Sequence, residues 1–453
     1  MPRSTEIIEI RSWIDRQSMS VFQWRVLILC FLIVAIDGFD TACVGFIAPA
    51  LARQWALSPS TLGSVFAAGL LGLMGGALCF GSLADKIGRR KTLIGSVAFF
   101  GLASSAAAFS PTVSVLIVLR FVTGLGLGAA MPNAIALTSE YCPERKRAFL
   151  TTLMFCGFTL GSGFGGLVSA ALIPEYGWNG VLLFGGLMPL ALVPILLVGL
   201  PESVRYLALR KADTGVIASL LKRIAPLTAQ GDVAFELHEP AKVGSPVRQL
   251  FAPEFRVGTL LIWTVFFMSL LVVYLMTNWL PTFIHRSGLP LSTASRFAVL
   301  YQVGGTVGAL VIGRLMDLRS PTSVLTVMYA LGAAFLVATG LTSGFFLAMS
   351  IAGVGFCISG SQIGANTYAA RFYPTVNRVT GISWALGVGR FGSVVGAMIG
   401  GQLLIANLPF PVLFSLAAMP ALIASAAIAA CGRHAKFFSE RDVAVRISDA
   451  SGA

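Results

Sequence analysis

The chain has 453 residues, of which 56% are hydrophobic and only 11% charged, with a mean hydropathy of +0.84 and a formal net charge of +13. A soluble domain is about a quarter charged, so this composition excludes one and describes an integral membrane protein. The basic surplus raises nucleic-acid binding as a second possibility, which the positions of the charges decide.

Residues 1–25 carry Arg3, Glu6, Glu9, Arg11, Asp15 and Arg16 with no short apolar core and cleavage site, so no cleaved signal peptide is expected. Beyond them, apolar stretches begin near positions 26, 61, 91, 113, 148, 180, 257, 297, 322, 344, 379 and 409. Each is about 20 residues, enough to cross a bilayer as a helix. The expected fold is all-α, with 12 transmembrane helices.

Of the 32 Lys and Arg, 27 fall before the first stretch, in alternate loops, or after the last, whereas the other loops hold only Arg53, Arg286 and Arg296. That asymmetry is the positive-inside pattern, which predicts both termini in the cytoplasm and accounts for the surplus without nucleic acid. The remaining two, Arg120 and Arg390, lie inside the fourth and eleventh stretches.

The first stretch contains Asp37 and Asp40, the only acids in the interior of any stretch. A charge at mid-bilayer costs roughly 2.5–3.5 kcal/mol even on insertion scales, so such residues point to a proton or substrate pathway. Three apart on a helix, both point to one side. Two aspartates and two arginines could neutralise one another as buried salt bridges. They could equally form a site in which guanidinium forks hold a small carboxylate and the acids carry protons as a coupled pair.

The chain repeats at an offset near 232 residues. Gly81-Ser-Leu-Ala-Asp85 recurs as Gly313-Arg-Leu-Met-Asp317, Tyr141-Cys-Pro143 as Phe372-Tyr-Pro374, and Gly161-x-x-x-Gly165-Gly166 as Gly396-x-x-x-Gly400-Gly401. The predicted organisation is an N-terminal segment 1–25, six helices over 26–200, a polar linker 201–256, six helices over 257–431 and a tail 432–453. Two parallel six-helix halves describe a transporter whose substrate site lies near mid-membrane. The seven cysteines show no metal or redox spacing and are expected as packing residues.

Gly81-Ser-Leu-Ala-Asp85-Lys-Ile-Gly88-Arg89-Arg-Lys91 resembles the signature loop of the major facilitator superfamily. Asp85 ends a helix there and can pair with Arg89 or with another helix end. The fifth stretch, from Gly157 to Gly166, is similar to that superfamily's antiporter motif but has Ser162 where the motif has proline, which favours uptake over efflux. Asp37-Gly-Phe-Asp40, Gln23-Trp-Arg25, Gly124 to Asn133, Ser139-Glu-Tyr141, Pro201-Glu-Ser203 and Ala370-Arg-Phe-Tyr-Pro374 together resemble the aromatic acid:proton symporters of that superfamily, most closely bacterial carriers of 4-hydroxybenzoate and protocatechuate.

The resemblance implies inward transport of an aromatic carboxylate with protons across the bacterial inner membrane. It implies that Asp37 and Asp40 are functional acids. Glu140 and Arg378 match positions at helix ends, where either a gate salt bridge or a plain surface pair is open. Asp317, Arg314 and Arg319 repeat the signature loop only in part. With Arg120 and Arg390 as carboxylate partners, the apolar and polar walls for a ring are expected from Phe39, Tyr274, Asn278, Trp279, Gln302, Gln362, Trp384 and Phe391. Gating is expected of Asp85, Arg89, Glu140, Asp317 and Arg378.

The expected partners are a small aromatic carboxylate, protons and the lipid bilayer, with no nucleic acid, and the expected state is monomeric. With three His and none at mid-span, no enzyme, metal site or cofactor is expected. A uniporter or exporter of the same fold, or a transporter doubling as a chemoreceptor, is the alternative. Which aromatic acid is carried depends on a few polar atoms that the sequence does not place.

Overall fold

The twelve apolar stretches are all helical in the computed structural model, which describes residues 6–210, 213–226, 233–236, 246–253, 255–373 and 375–451. A short strand β1 (Glu6–Glu9) and helix α1 (Ile10–Arg16) precede α2 (Val21–Trp55), α3 (Pro59–Ile87), α4 (Arg89–Ala107), α5 (Val113–Tyr141) and α6 (Glu144–Gly199). Between the halves lie α7 (Val204–Leu209), α8 (Thr214–Lys222), β2 (Val233–Glu236) and α9 (Pro246–Leu250). The second half comprises α10 (Arg256–Arg286), α11 (Leu291–Leu318), α12 (Pro321–Leu341), α13 (Gly344–Val354), a π-helical turn (Gly355–Ser359), α14 (Gly360–Phe372), α15 (Thr375–Ile405) and α16 (Phe410–Ser451).

Among the described residues ten helices are long and apolar enough to cross a membrane, against the expected twelve. The difference has two sources. The 56-residue α6 turns at Gly177, where φ 65° and ψ −168° suit a residue without a Cβ, so it holds two crossings. The 19-residue α4 is the other, and Arg89, Arg90 and Lys91 in its first turn make it less apolar than its neighbours.

The chain forms two compact units, Met1–Leu51 with Ala68–Pro240, and Ala52–Ala67 with Ala241–Ala453. The sequence repeat reappears in how each unit is packed. In the first, a methyl group at Gly161 of α6 would overlap the Ala35 carbonyl of α2, and one at Gly76 of α3 would overlap the Leu125 carbonyl of α5. In the second, Gly396 of α15 stands in the same way against Leu271 of α10, and Gly308 of α11 against Phe356 of the π turn. Lipid supplies no hydrophobic drive between helices, so association rests on such backbone-to-backbone approach.

Among the described residues the all-α expectation has one exception. Ile7 and Ile8 of β1 pair in parallel with Ala234 and Phe235 of β2, within a segment expected to be linker. Helix α1 buries Ile10 and Ile14 in the same apolar cluster as Tyr141, Leu200 and Leu221. Asp15 Oδ1 accepts the Glu144 backbone N–H at 2.7 Å, placing a carboxylate on the N-terminus of α6, and pairs with Arg147 at 3.5 Å. All seven cysteines are free and six are buried. Burial pushes the Cys142 thiol up to about 11, which suits a packing residue.

Candidate functional site

Residues Val21–Trp55 form a single 35-residue helix because the segment is aliphatic and small, with its one proline near the end. Asp37 and Asp40 sit mid-way along it and are both fully buried. A spacing of three puts them on one side of α2, yet they meet different partners.

Asp40 is held by two other helices. Arg120 on α5 donates from Nη1 to Oδ1 at 3.1 Å and from Nη2 to Oδ2 at 2.8 Å. Ser104 on α4 donates to Oδ1 at 2.8 Å, and Arg120 Nη2 also reaches the Asp40 carbonyl at 3.3 Å. The parallel pair is the bidentate geometry that makes arginine–carboxylate bonds strong. The guanidinium passes Gly69 of α3, where a Cβ would lie 3.7 Å from Nη2. Asp37 instead accepts from Thr41 Oγ1 at 3.3 Å, one turn further along its own helix. Beside it, Ser162 of α6 donates to the Gly38 carbonyl at 2.9 Å. The residue that departs from the antiporter motif thus bonds the backbone next to Asp37.

In the second unit, Arg390 of α15 donates from Nη1 to the Tyr274 hydroxyl of α10 at 3.0 Å. Tyr274 is buried, as are Asn278 one turn on, Gln302 of α11 and Gln362 of α14. Helix α10 packs on each of α11, α14 and α15. The remaining ring candidates are placed differently. Phe39 is buried between Phe164 and Phe184, with ring centroids 6.3 and 5.7 Å away, inside the first unit. Trp279 is fully buried, and its indole N–H donates to the Ala397 carbonyl at 2.7 Å, which makes it a joint between α10 and α15. Trp384 is exposed and stacks on Trp263 at 5.8 Å, and Phe391 is also exposed. Arg286, expected in a loop, ends α10 and reaches the Leu404 carbonyl.

A second constellation lies where α3, α4, α5 and α7 end. Arg89 pairs with Glu140 at 2.9 Å, so the arginine expected beside Asp85 has a partner on α5. Ser203 donates to Glu140 Oε2 at 2.6 Å while capping α7. Glu202 Oε1 accepts the backbone N–H groups of Arg90 at 3.0 Å and Ser203 at 2.9 Å. The Tyr141 hydroxyl donates to the Glu202 carbonyl at 2.6 Å, and Gln23 Nε2 to the Tyr141 carbonyl at 2.6 Å. Gly88 has φ 99°, and a Cβ there would run into the Glu202 carboxylate, so two separate constraints demand glycine. The side chains of Asp85 and Arg378 lie outside the described residues. Asp317 pairs with Arg371 at 2.8 Å, and both are half exposed; an exposed pair of this kind is worth little.

Comparison with known proteins identifies the family and the fold. Residues 30–356 match the Major Facilitator Superfamily. The chain belongs to that superfamily. It is 47% identical to a gallate transporter of Pseudomonas putida over 95% of this chain and 96% of that one. It is 46% identical to the 4-hydroxybenzoate transporter PcaK of Pseudomonas aeruginosa over 94% and 96% of the two chains. A solved structure of the xylose transporter XylE from E. coli shares the fold, with a TM-score of 0.69 at 15% identity over 89% of this chain and 94% of that one.

This member of the superfamily is therefore a multi-pass membrane transporter and not an enzyme. The charged residues of its interior stand out in the sequence, whereas the contacts made by Ser104, Ser162 and Glu202 do not. Ser104, inside an apolar stretch, carries no signal of its own, whereas Ser162 is marked by its place in the antiporter-like run. Glu202 is marked as a residue by the Pro201-Glu-Ser203 run, but its bond to the start of α4 is not.

Proposed function

We propose that this facilitator is a proton-coupled symporter that imports a hydroxylated, benzoate-like acid across the bacterial inner membrane by alternating access, with both termini in the cytoplasm. The observation that carries the proposal is the three-point hold on Asp40 by Arg120 and Ser104, while Asp37 meets a hydroxyl of its own helix. It supports a division of labour. Asp40 fixes the first unit's arginine, and Asp37 takes and releases the proton.

Arg390, hydrogen-bonded to the neutral hydroxyl of Tyr274, is the guanidinium that receives the substrate carboxylate in this reading. Protonation of Asp37 and neutralisation of Arg390 by the carboxylate then lower the charge each unit must carry through an occluded state, which lets the halves rearrange. Tyr274, Asn278, Gln302 and Gln362 supply polar contacts to the ring. The Arg89–Glu140–Ser203 cluster and the Glu202 carboxylate on the first turn of α4 hold the signature loop and act as its gate.

The substrate class is taken from the gallate and 4-hydroxybenzoate relatives, which the chain matches over nearly its whole length. Ser162 in place of the antiporter proline, bonded to α2 beside Asp37, favours import over export. Uptake of labelled 4-hydroxybenzoate by whole cells tests the scheme. It should be concentrative and collapse with a protonophore. Accumulation that survives the protonophore would refute proton coupling.

A further inference from the structure

On α14, Ser361 Oγ, Gln362 Oε1 and Asn366 Oδ1 are buried atoms with no hydrogen-bond partner among the described residues. Ser361 is 0% and Gln362 7% exposed. Folded proteins keep few such orphans, and each calls for a reason. Gln362 and Asn366 are four apart, so they share one face of α14. Amides that merely join helices look different: Gln23 spends its amide on the Tyr141 carbonyl of a neighbouring helix.

The π turn at Gly355–Ser359 stands directly before this face. Such turns are rare and concentrate at functional sites, and the inserted residue rotates everything after it by about 100°. This one is locked in place. Gly355 lies against the Tyr301 carbonyl of α11, and Ser359 Oγ donates to the Tyr301 hydroxyl at 2.8 Å.

The internal repeat adds independent support. The offset of 231 that relates Phe372-Tyr-Pro374 to Tyr141-Cys-Pro143 aligns Gln362 with Met131 and Asn366 with Ile135. The first unit, which carries the aspartates, has apolar residues at both places. The amides belong to the unit that carries Arg390.

We infer that Gln362 and Asn366 recognise the ring hydroxyls of the substrate and set the preference for hydroxylated over unsubstituted benzoates. The inference rests on the aromatic-acid reading of the same site. A primary amide is matched to a phenol, because its oxygen accepts the phenolic proton and its N–H groups donate to the phenolic oxygen. An unsubstituted ring leaves those buried atoms unsatisfied, and a site built to bond a hydroxyl rejects the analogue without it.

The test is competition against uptake of labelled 4-hydroxybenzoate by benzoate, 4-methoxybenzoate, unlabelled 4-hydroxybenzoate and 3,4-dihydroxybenzoate. In the wild-type protein the hydroxylated acids should compete about ten-fold or more better than benzoate, and the methoxy compound, which has no proton to give, should fall with benzoate. In Gln362→Met and Asn366→Leu the ratio of hydroxylated to unsubstituted competition should shrink by about ten-fold. Variant ratios within about two-fold of wild type overturn the inference. A wild type that accepts 4-methoxybenzoate as well as 4-hydroxybenzoate overturns it whether or not the variants fold. A protein that takes up neither 4-hydroxybenzoate nor benzoate defeats the aromatic-acid reading instead.

Discussion

Arg120 grips Asp40 through two parallel hydrogen bonds, 3.1 and 2.8 Å long, between helices that are 80 residues apart in sequence. Both partners are buried, so the pair is a fixed strut rather than a surface contact. Breaking one side of a buried pair strands the other charge and costs about 3–5 kcal/mol. Asp40→Asn and Arg120→Gln should each lower the melting temperature in detergent sharply, and the double variant should lose less than the two losses combined. Additive losses would show that the two residues act separately.

Asp37→Asn should behave differently. Asp37 accepts from a hydroxyl one turn away on its own helix, a bond that the Asn side-chain oxygen can still accept, so the variant should fold and reach the membrane. It should fail to concentrate 4-hydroxybenzoate yet still exchange it between loaded vesicles and medium. Concentrative uptake at the wild-type level would remove Asp37 from the proton path.

Gly88→Ala should destabilise by about 1–3 kcal/mol from backbone strain alone, because φ is 99°. The Glu202 carboxylate adds a steric conflict. Thermal melting of Gly88→Ala with and without Glu202→Ala separates the two: the second change should relieve the clash and leave the strain. Equal melting of Gly88→Ala and wild type would contradict both.

Ser162→Ala removes one buried hydrogen bond between α6 and α2, with a cost of about 1 kcal/mol. The drop in melting temperature should be small, and the variant should still import. Loss of import with unchanged melting would mean that the hydroxyl acts in transport and not in holding the helices together.

The twelve stretches and the two-fold repeat were legible in the sequence because each rests on a signal many residues long. Asp37, Asp40, Arg120 and Arg390 were legible one by one, since a charge inside an apolar run has no cheap explanation. Their pairing was not. A helix spacing fixes which side Asp40 faces but not which of two arginines reaches it, and that choice depends on Gly69 opening a path and on Ser104 completing the contact. Trp279 stood out as a ring candidate, but the close approach of α15 at Gly400 makes it a packing residue, and only the helix pairing reveals that. The β1–β2 ribbon was invisible because four residues paired with a segment more than two hundred positions away leave no local pattern.

That ribbon sets an order of events during synthesis. Glu6 finds its partner only at Val233, 227 residues further along the chain. At roughly 5–20 residues per second, a ribosome needs about 10 to 45 seconds to supply it. During that interval α2 to α6 are synthesised while β1 still lacks its neighbouring strand.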